Sequence, residues 1–132
     1  MNLLNMSEGA YLAMHSLALI AGRQPERLTV KHLAQELDAS QAHLAKVFQK
    51  LSKAGLVKSV RGPAGGFILD KDPEGISFLD IYEIMEGKVE KSDCPLGKGH
   101  CAFDDCILGD DFSRISNDLY DTYSKINLSN FN

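Results

Sequence analysis

No apolar run in this 132-residue chain approaches the roughly 18 residues that a membrane-crossing helix needs, so no membrane partner is expected. The N-terminus lacks a charged start followed by an apolar block and a small-residue cleavage site, which argues against secretion and points to the cytoplasm. There is no internal repeat and no low-complexity segment. Cysteine is scarce and odd in number. Three residues cannot form a complete set of internal disulfides, and a reducing compartment disfavours them further. No nucleophile–base–orienter set and no glycine-rich phosphate loop stands out, so an enzyme is not expected. Net positive charge is also missing, the chain carrying −4 at neutral pH.

What is present is concentrated between Leu28 and Leu69. Thr29 can cap a short helix through its hydroxyl. Leu28 and Leu33 sit at the hydrophobic-staple positions around it. Leu33, Ala34 and Leu37 give that helix one apolar face. Asp38, Ala39 and Ser40 break it, and Ser40 can cap a second helix. There Leu44, Val47, Phe48 and Leu51 fall at i, i+3, i+4 and i+7. Gly55 suits the position just past its end. Two helices joined by a three-residue turn predict a helix-turn-helix.

The period then shifts to that of strands. Residues 56–60 and 67–69 read as a hairpin, with Arg61, Gly62, Pro63, Ala64, Gly65 and Gly66 between them. A hairpin directly after a helix-turn-helix is a wing. The start of the second helix carries Ser40, Gln41 and His43, which can reach base edges in a major groove. Lys46, Lys50 and Lys53 follow and suit phosphates. Arg61 beside Gly62 at the wing tip suits a minor groove, where the potential is most negative. These residues predict binding to double-stranded DNA.

The acidic total does not oppose this. Arg23 to Lys71 holds nine basic and four acidic residues, net +5, leaving five basic and fourteen acidic residues elsewhere, net −9. Positive charge therefore sits on the proposed reading module, and the acidic remainder can hold the C-terminal part off DNA.

Around this module, Ser7 and Glu8 open a first helix containing Leu12, Met14, Leu17, Ala18 and Ala21. A loop containing Pro25 follows. Ser77 and Asp80 form a capping box for a helix that buries Phe78, Ile81, Ile84 and Met85 and ends at Gly87. Residues 88–109 form a long polar loop, the kind of length that signals function or disorder. Asp110 and Asp111 open a last helix with Phe112, Ile115, Leu119 and Ile126 at helix-seam spacing. The expected fold is mainly α: a winged helix-turn-helix over 1–87, a cysteine loop over 88–109, and a long dimerisation helix over 110–132. The alternative is that the last helix packs back on its own domain.

All three cysteines lie in the loop, as Cys94-x6-Cys101-x4-Cys106. Thiolates are soft ligands for zinc, Fe–S clusters or Cu(I). The spacing fits structural zinc pairs poorly and suits a larger cluster better. A fourth ligand must come from elsewhere. His100 is nearest in sequence, and Glu8 and His32 lie near helix starts. Two regulator readings without an Fe–S cluster remain: a zinc site completed by His100, and a metal-free thiol sensor. A small Fe–S carrier would need the cysteines but not the wing.

The helix-turn-helix, the run LSKAGLVKSVRGPAGGFIL, the segment ISFLDIYEIMEG and the three-cysteine loop before a last long helix together resemble the Rrf-two family of transcriptional regulators, of the IscR and NsrR type. The resemblance covers nearly the whole chain. It implies a homodimeric winged-helix protein on palindromic operators, a repressor whose 2Fe–2S or 4Fe–4S cluster alters operator binding in response to nitric oxide, redox state or iron supply. It places ligands at Cys94, Cys101 and Cys106. The middle cysteine is displaced by one residue from the family's even spacing. The IscR-like histidine position holds Gly109, so that ligand is absent. The NsrR-like acidic ligand from the first helix, offered across the dimer, matches Glu8. A subtype with mixed Glu and His ligands keeps His32 as a further candidate.

Overall fold

The computed structural model describes Leu4, residues 6–91, Cys94, Leu96, Gly97 and residues 100–131. The helices are α1 (Glu8–Gly22), α2 (Val30–Glu36), α3 (Gln41–Lys53), α4 (Phe78–Glu86) and α5 (Gly109–Lys125), with the strands β1 (Val57–Val60) and β2 (Gly66–Leu69) after α3. Short 3-10 turns lie at Pro73–Gly75 and Leu128–Phe131.

The starts of α1 to α4 follow from local side-chain chemistry. Ser7, Thr29, Ser40 and Ser77 accept from the backbone N–H of Ala10, His32, His43 and Asp80 at 3.0–3.2 Å. Each satisfies an otherwise orphaned donor. The Ser77 backbone N–H also donates to Asp80 Oδ2 at 3.0 Å, which completes the capping box. Helix α3 ends in a Schellman turn: Leu56 N–H donates to the Leu51 carbonyl and Gly55 N–H to that of Ser52, both at 3.0 Å. That turn drives Leu56 into the core and aims the chain into β1.

The stripe Leu44, Val47, Phe48 and Leu51 is buried against Leu12, Leu17 and Ile20 of α1 and Leu33 of α2. The Phe48 ring meets Phe67 of the wing at 4.6 Å. Strands β1 and β2 pair antiparallel, with Val57 opposite Leu69 and Val60 opposite Gly66. Leu28 adds a single bridge to Phe67. That bridge needs glycine next to it: a Cβ on Gly66 would lie 2.9 Å from the Leu28 carbonyl, and its φ of +151° disfavours a side chain.

The C-terminal end differs from the sequence expectation. The expected helix over 110–132, with Ile126 on its seam, stops at Lys125, and Ile126 is already extended; Asn132 lies outside the described residues. The cause is local. Asn127 and Asn130 compete with the helix by bonding nearby backbone: Ser129 N–H donates to Asn127 Oδ1 at 2.9 Å and Asn127 N–H to Asn130 Oδ1 at 3.0 Å. The tail then pairs with the segment before α4, through Phe78 N–H to Ile126 O at 2.9 Å and Leu128 N–H to Ile76 O at 3.1 Å. Leu128 is fully buried. Phe131 passes so close to α1 that a Cβ on Gly22 would lie 2.6 Å from its carbonyl oxygen. The second half of α5 packs back on α4, where Tyr82 and Tyr123 meet at 5.9 Å. Its first half leaves Phe112 and Ile115 each 52% exposed. Among the described residues, no helix is long and apolar enough to cross a membrane.

Candidate nucleic-acid interface and cysteine loop

Burial of one face of α3 decides what its other face offers. Ser40, Gln41, Ala42, Lys46, Gln49, Lys50 and Lys53 are exposed, and His43 is half-buried. Among the described residues, Lys46, Lys50 and Arg61 have no ion-pair partner, so their charge faces solvent. Lys58 of β1 is instead paired with Asp70 at 3.6 Å. Arg61 follows β1 at the exposed tip of the wing. The Gly62 carbonyl beside it accepts from Gly65 N–H at 2.9 Å, which closes the tip.

The candidate fourth ligands are placed apart. Glu8 is the first residue of α1, and its Oε2 lies 3.7 Å from His43 Nδ1 on α3. His32 is engaged elsewhere: its Nε2 is 3.1 Å from Glu36 Oε2, in a cluster where Arg23 grips the same carboxylate at 2.5 and 2.6 Å. The two hydrogen bonds hold the Glu36 carboxyl below its usual pKa and raise that of Arg23. The cluster fastens the end of α1 to α2. His100 is exposed in the loop.

The loop starts from a fixed point. Val89 N–H donates to Glu83 Oε2 at 2.8 Å. Lys91 reaches Asp121 on α5 at 2.7 Å and lies over the Tyr120 ring at 5.1 Å from its centre. The hydrogen bond raises the Lys91 pKa and lowers that of Asp121. Beyond it Cys94 is half-buried, Cys101 and Cys106 are exposed, and none of the three is in a disulfide. Gly109 N–H donates to the Cys106 carbonyl at 3.1 Å, so Cys106 sits in the turn that opens α5. By type, three thiols and a carboxylate suit an Fe–S cluster. Among the described residues of one chain, no three His, Cys, Asp or Glu side chains come together as a metal group.

Three features were not found from the sequence: the Glu8–His43 contact, the Lys91–Asp121 tether, and a cavity of about 240 Å³ between α4 and α5 lined in part by Leu4, Met6, Tyr82, Leu119 and Tyr123. Each joins residues at least 30 positions apart, and no local pattern signals such pairs. Only the apolar and aromatic content of α5 hinted at the last.

The Rrf2 family, described as iron-dependent transcriptional regulators, matches residues 6–131. This chain belongs to the Rrf2 family. The resemblance read from the wing and the cysteine loop is thereby borne out, and with it the expectation of a DNA-binding transcriptional regulator rather than an enzyme. Among its Rrf2-type relatives, a putative HTH-type transcriptional regulator of Aquifex aeolicus (strain VF5) is 31% identical over 89% of this chain and 83% of its own length. The HTH-type transcriptional regulator IscR of Escherichia coli is also 31% identical, over 77% of this chain but only 62% of its own length. The solved structure of T. potens IscR superposes with a TM-score of 0.75 and 26% identity, covering 96% of this chain and 85% of that one. The fold is also that of CymR, the global cysteine regulator of B. subtilis, at a TM-score of 0.78 and 22% identity, over 98% and 99% of the two chains.

Proposed function

We propose that this Rrf2 regulator binds a palindromic operator as a homodimer and that an Fe–S cluster on the cysteine loop switches that binding. The observation that carries the reading is the position of the loop. Three thiols outside the core lie on the stretch that runs from the Lys91 tether to Asp121 of α5 up to the turn at Cys106 that leads into the same helix. A change in the loop therefore acts on the helix whose exposed Phe112 and Ile115 offer a dimer seam. Paired recognition helices must meet half-sites about one helical turn apart, so a small rotation at the seam alters affinity. In this reading α3 enters the major groove with Ser40, Gln41 and His43 toward the bases, Lys46 and Lys50 bind phosphates, and the wing brings Arg61 and Gly62 to the minor groove. Cys94, Cys101 and Cys106 hold the cluster, and Glu8 of the second copy supplies the labile fourth ligand.

The test is anaerobic purification, with an absorption spectrum and iron and sulfide assays on the same sample, followed by operator binding with and without nitric oxide. Visible charge-transfer bands with matching iron and sulfide, and operator binding altered by nitric oxide, support the reading. A colourless, iron-free protein that cannot be reconstituted sinks it.

A second reading draws on the exposure of Cys101 and Cys106 and the lack of a gathered ligand group among the described residues. The loop then senses oxidants by thiol chemistry, with no metal. Oxidant-dependent operator binding that disappears in Cys101→Ser or Cys106→Ser, in iron-free protein, would separate it from the first.

A further inference from the structure

We propose that the cavity between α4 and α5 is a binding site for a small organic ammonium with an aryl body, and that Lys91 holds the ammonium position until such a ligand arrives. Among the described residues no cysteine lines this cavity, and neither Phe112 nor Ile115 belongs to its wall. The inference therefore goes beyond the cluster reading and does not depend on it.

An ammonium group already sits at the mouth. Lys91 Nζ lies 2.7 Å from Asp121 Oδ1 and 5.1 Å from the centre of the Tyr120 ring, over its face. A carboxylate on one side and an aromatic face on the other are groups that recognise organic cations, the ring through its negative quadrupole. Tyr82 and Tyr123 continue the aromatic wall, with their ring centres 5.9 Å apart. Glu90 adds a second carboxylate to the lining and has no ion-pair partner among the described residues. Lys125, the next cation along α5, does not line the cavity. The mouth thus favours positive charge, whereas an anionic ligand would meet both Glu90 and Asp121.

The space that stays open with Lys91 in place defines the rest of the ligand. The cavity measures about 240 Å³, and at about 30 Å³ of liquid per water it has the room of about eight waters. That suits a single ring on a short arm rather than a peptide. Leu79 is 9% exposed and Met6 and Leu119 are half-buried, so much of the lining is apolar. A ligand that places a ring there gains apolar burial that Lys91, which reaches only Asp121 and Tyr120, does not. The Lys91–Asp121 pair is about half exposed on both sides, and a pair so exposed is held weakly enough to be replaced. A primary ammonium on a two-carbon arm can take the same carboxylate and ring face while its aryl group enters the cavity. Occupancy then releases Lys91, and with it the entrance of the loop, from α5.

The chain has four tyrosines and no tryptophan, and three of the four line the cavity, so intrinsic fluorescence reports occupancy directly. The experiment titrates full-length protein with phenethylammonium and follows tyrosine fluorescence and calorimetric heat. The controls are 2-phenylethanol, the same shape without charge, and phenylacetate, of opposite charge. Phenethylammonium is expected to bind, more weakly as salt rises, and both controls to bind at least about 5-fold less tightly. Lys91→Ala removes the internal competitor and is expected to tighten binding about 3-fold, the scale of one exposed ion pair. Asp121→Asn and Tyr120→Leu are expected to weaken it about 3- to 5-fold. Tyr120→Phe keeps the ring face and binds as wild type does. The gain in Lys91→Ala cannot come from a misfolded chain, and circular dichroism checks the weakened variants. No binding to wild type or to Lys91→Ala overturns the proposal, as does phenylacetate binding as tightly as phenethylammonium. Binding indifferent to Lys91→Ala, Asp121→Asn and Tyr120→Leu alike puts the ligand elsewhere and overturns it equally.

Discussion

Lys91 donates to Asp121 across 2.7 Å, and this pair fastens the entrance of the cysteine loop to the C-terminal half of α5. The hydrogen bond lowers the Asp121 pKa and raises that of Lys91. Both side chains are about half exposed, at 48% and 47%, so screening by salt limits what the pair contributes to stability. Its importance is in placement. Lys91→Ala should leave the melting temperature nearly unchanged, and less changed still at high salt, while weakening the response of operator binding to the loop. A wild-type response in Lys91→Ala, measured by titration with and without nitric oxide or oxidant, would remove the tether from the switch.

The tail after α5 is structural. Leu128 is fully buried between the segment before α4 and the C-terminal end of α1. Leu128→Ala should cost about 2–5 kcal/mol, lowering Tm by roughly 10 °C. A change within error would mean that the tail does not close the core in solution.

This tail also marks where reading the sequence stops. The caps at Ser7, Thr29, Ser40 and Ser77, the buried stripe of α3 and the wing were all legible, because each depends on residues within a few positions of one another. The end of α5 was not. Leu119 and Ile126 continue a helical spacing, and only the Asx bonds of Asn127 and Asn130 against the backbone interrupt it. Of the candidate site, the exposed bases of α3 and the wing tip could be named from their types alone. The partners of Glu8 and His32 could not, since the fold brings α1, α2 and α3 together from separate stretches.

The Arg23–Glu36 pair gives an acid-side signature. Hydrogen bonds from Arg23 hold the Glu36 carboxyl below its usual pKa in the folded protein. A lowered folded pKa stabilises above the unfolded value, and that stability is lost as pH falls through the folded one. Wild type should therefore exceed Glu36→Gln in Tm at neutral pH, with the gap closing as pH falls through the carboxylate range. A gap that persists in acid would assign the effect to packing.

Arg61 and Lys50 should separate reading from holding. Arg61→Ala should cost about 1–3 kcal/mol on the operator and relax sequence preference beneath the wing. Lys50→Ala should weaken operator and random DNA alike and reduce the salt slope by about one. Equal losses on both DNAs for Arg61→Ala would contradict its reading role and leave it a phosphate contact.

The first half of α5 offers the sharpest test of assembly. Phe112 and Ile115 lie three residues apart on one helical face, each 52% exposed, while the second half of the helix is tied to α4. Large side chains left half in water on one face favour a cover, which a second copy would supply symmetrically in the proposed dimer. Neither Phe112 nor Ile115 contributes to the core of its own chain, so Phe112→Asp with Ile115→Asp should leave the helical signal in place. Sedimentation should then show monomers in place of dimers, and operator affinity should fall toward that of a single half-site. A double variant that remains dimeric would move the interface off this face and detach the loop from the seam through which it is proposed to act.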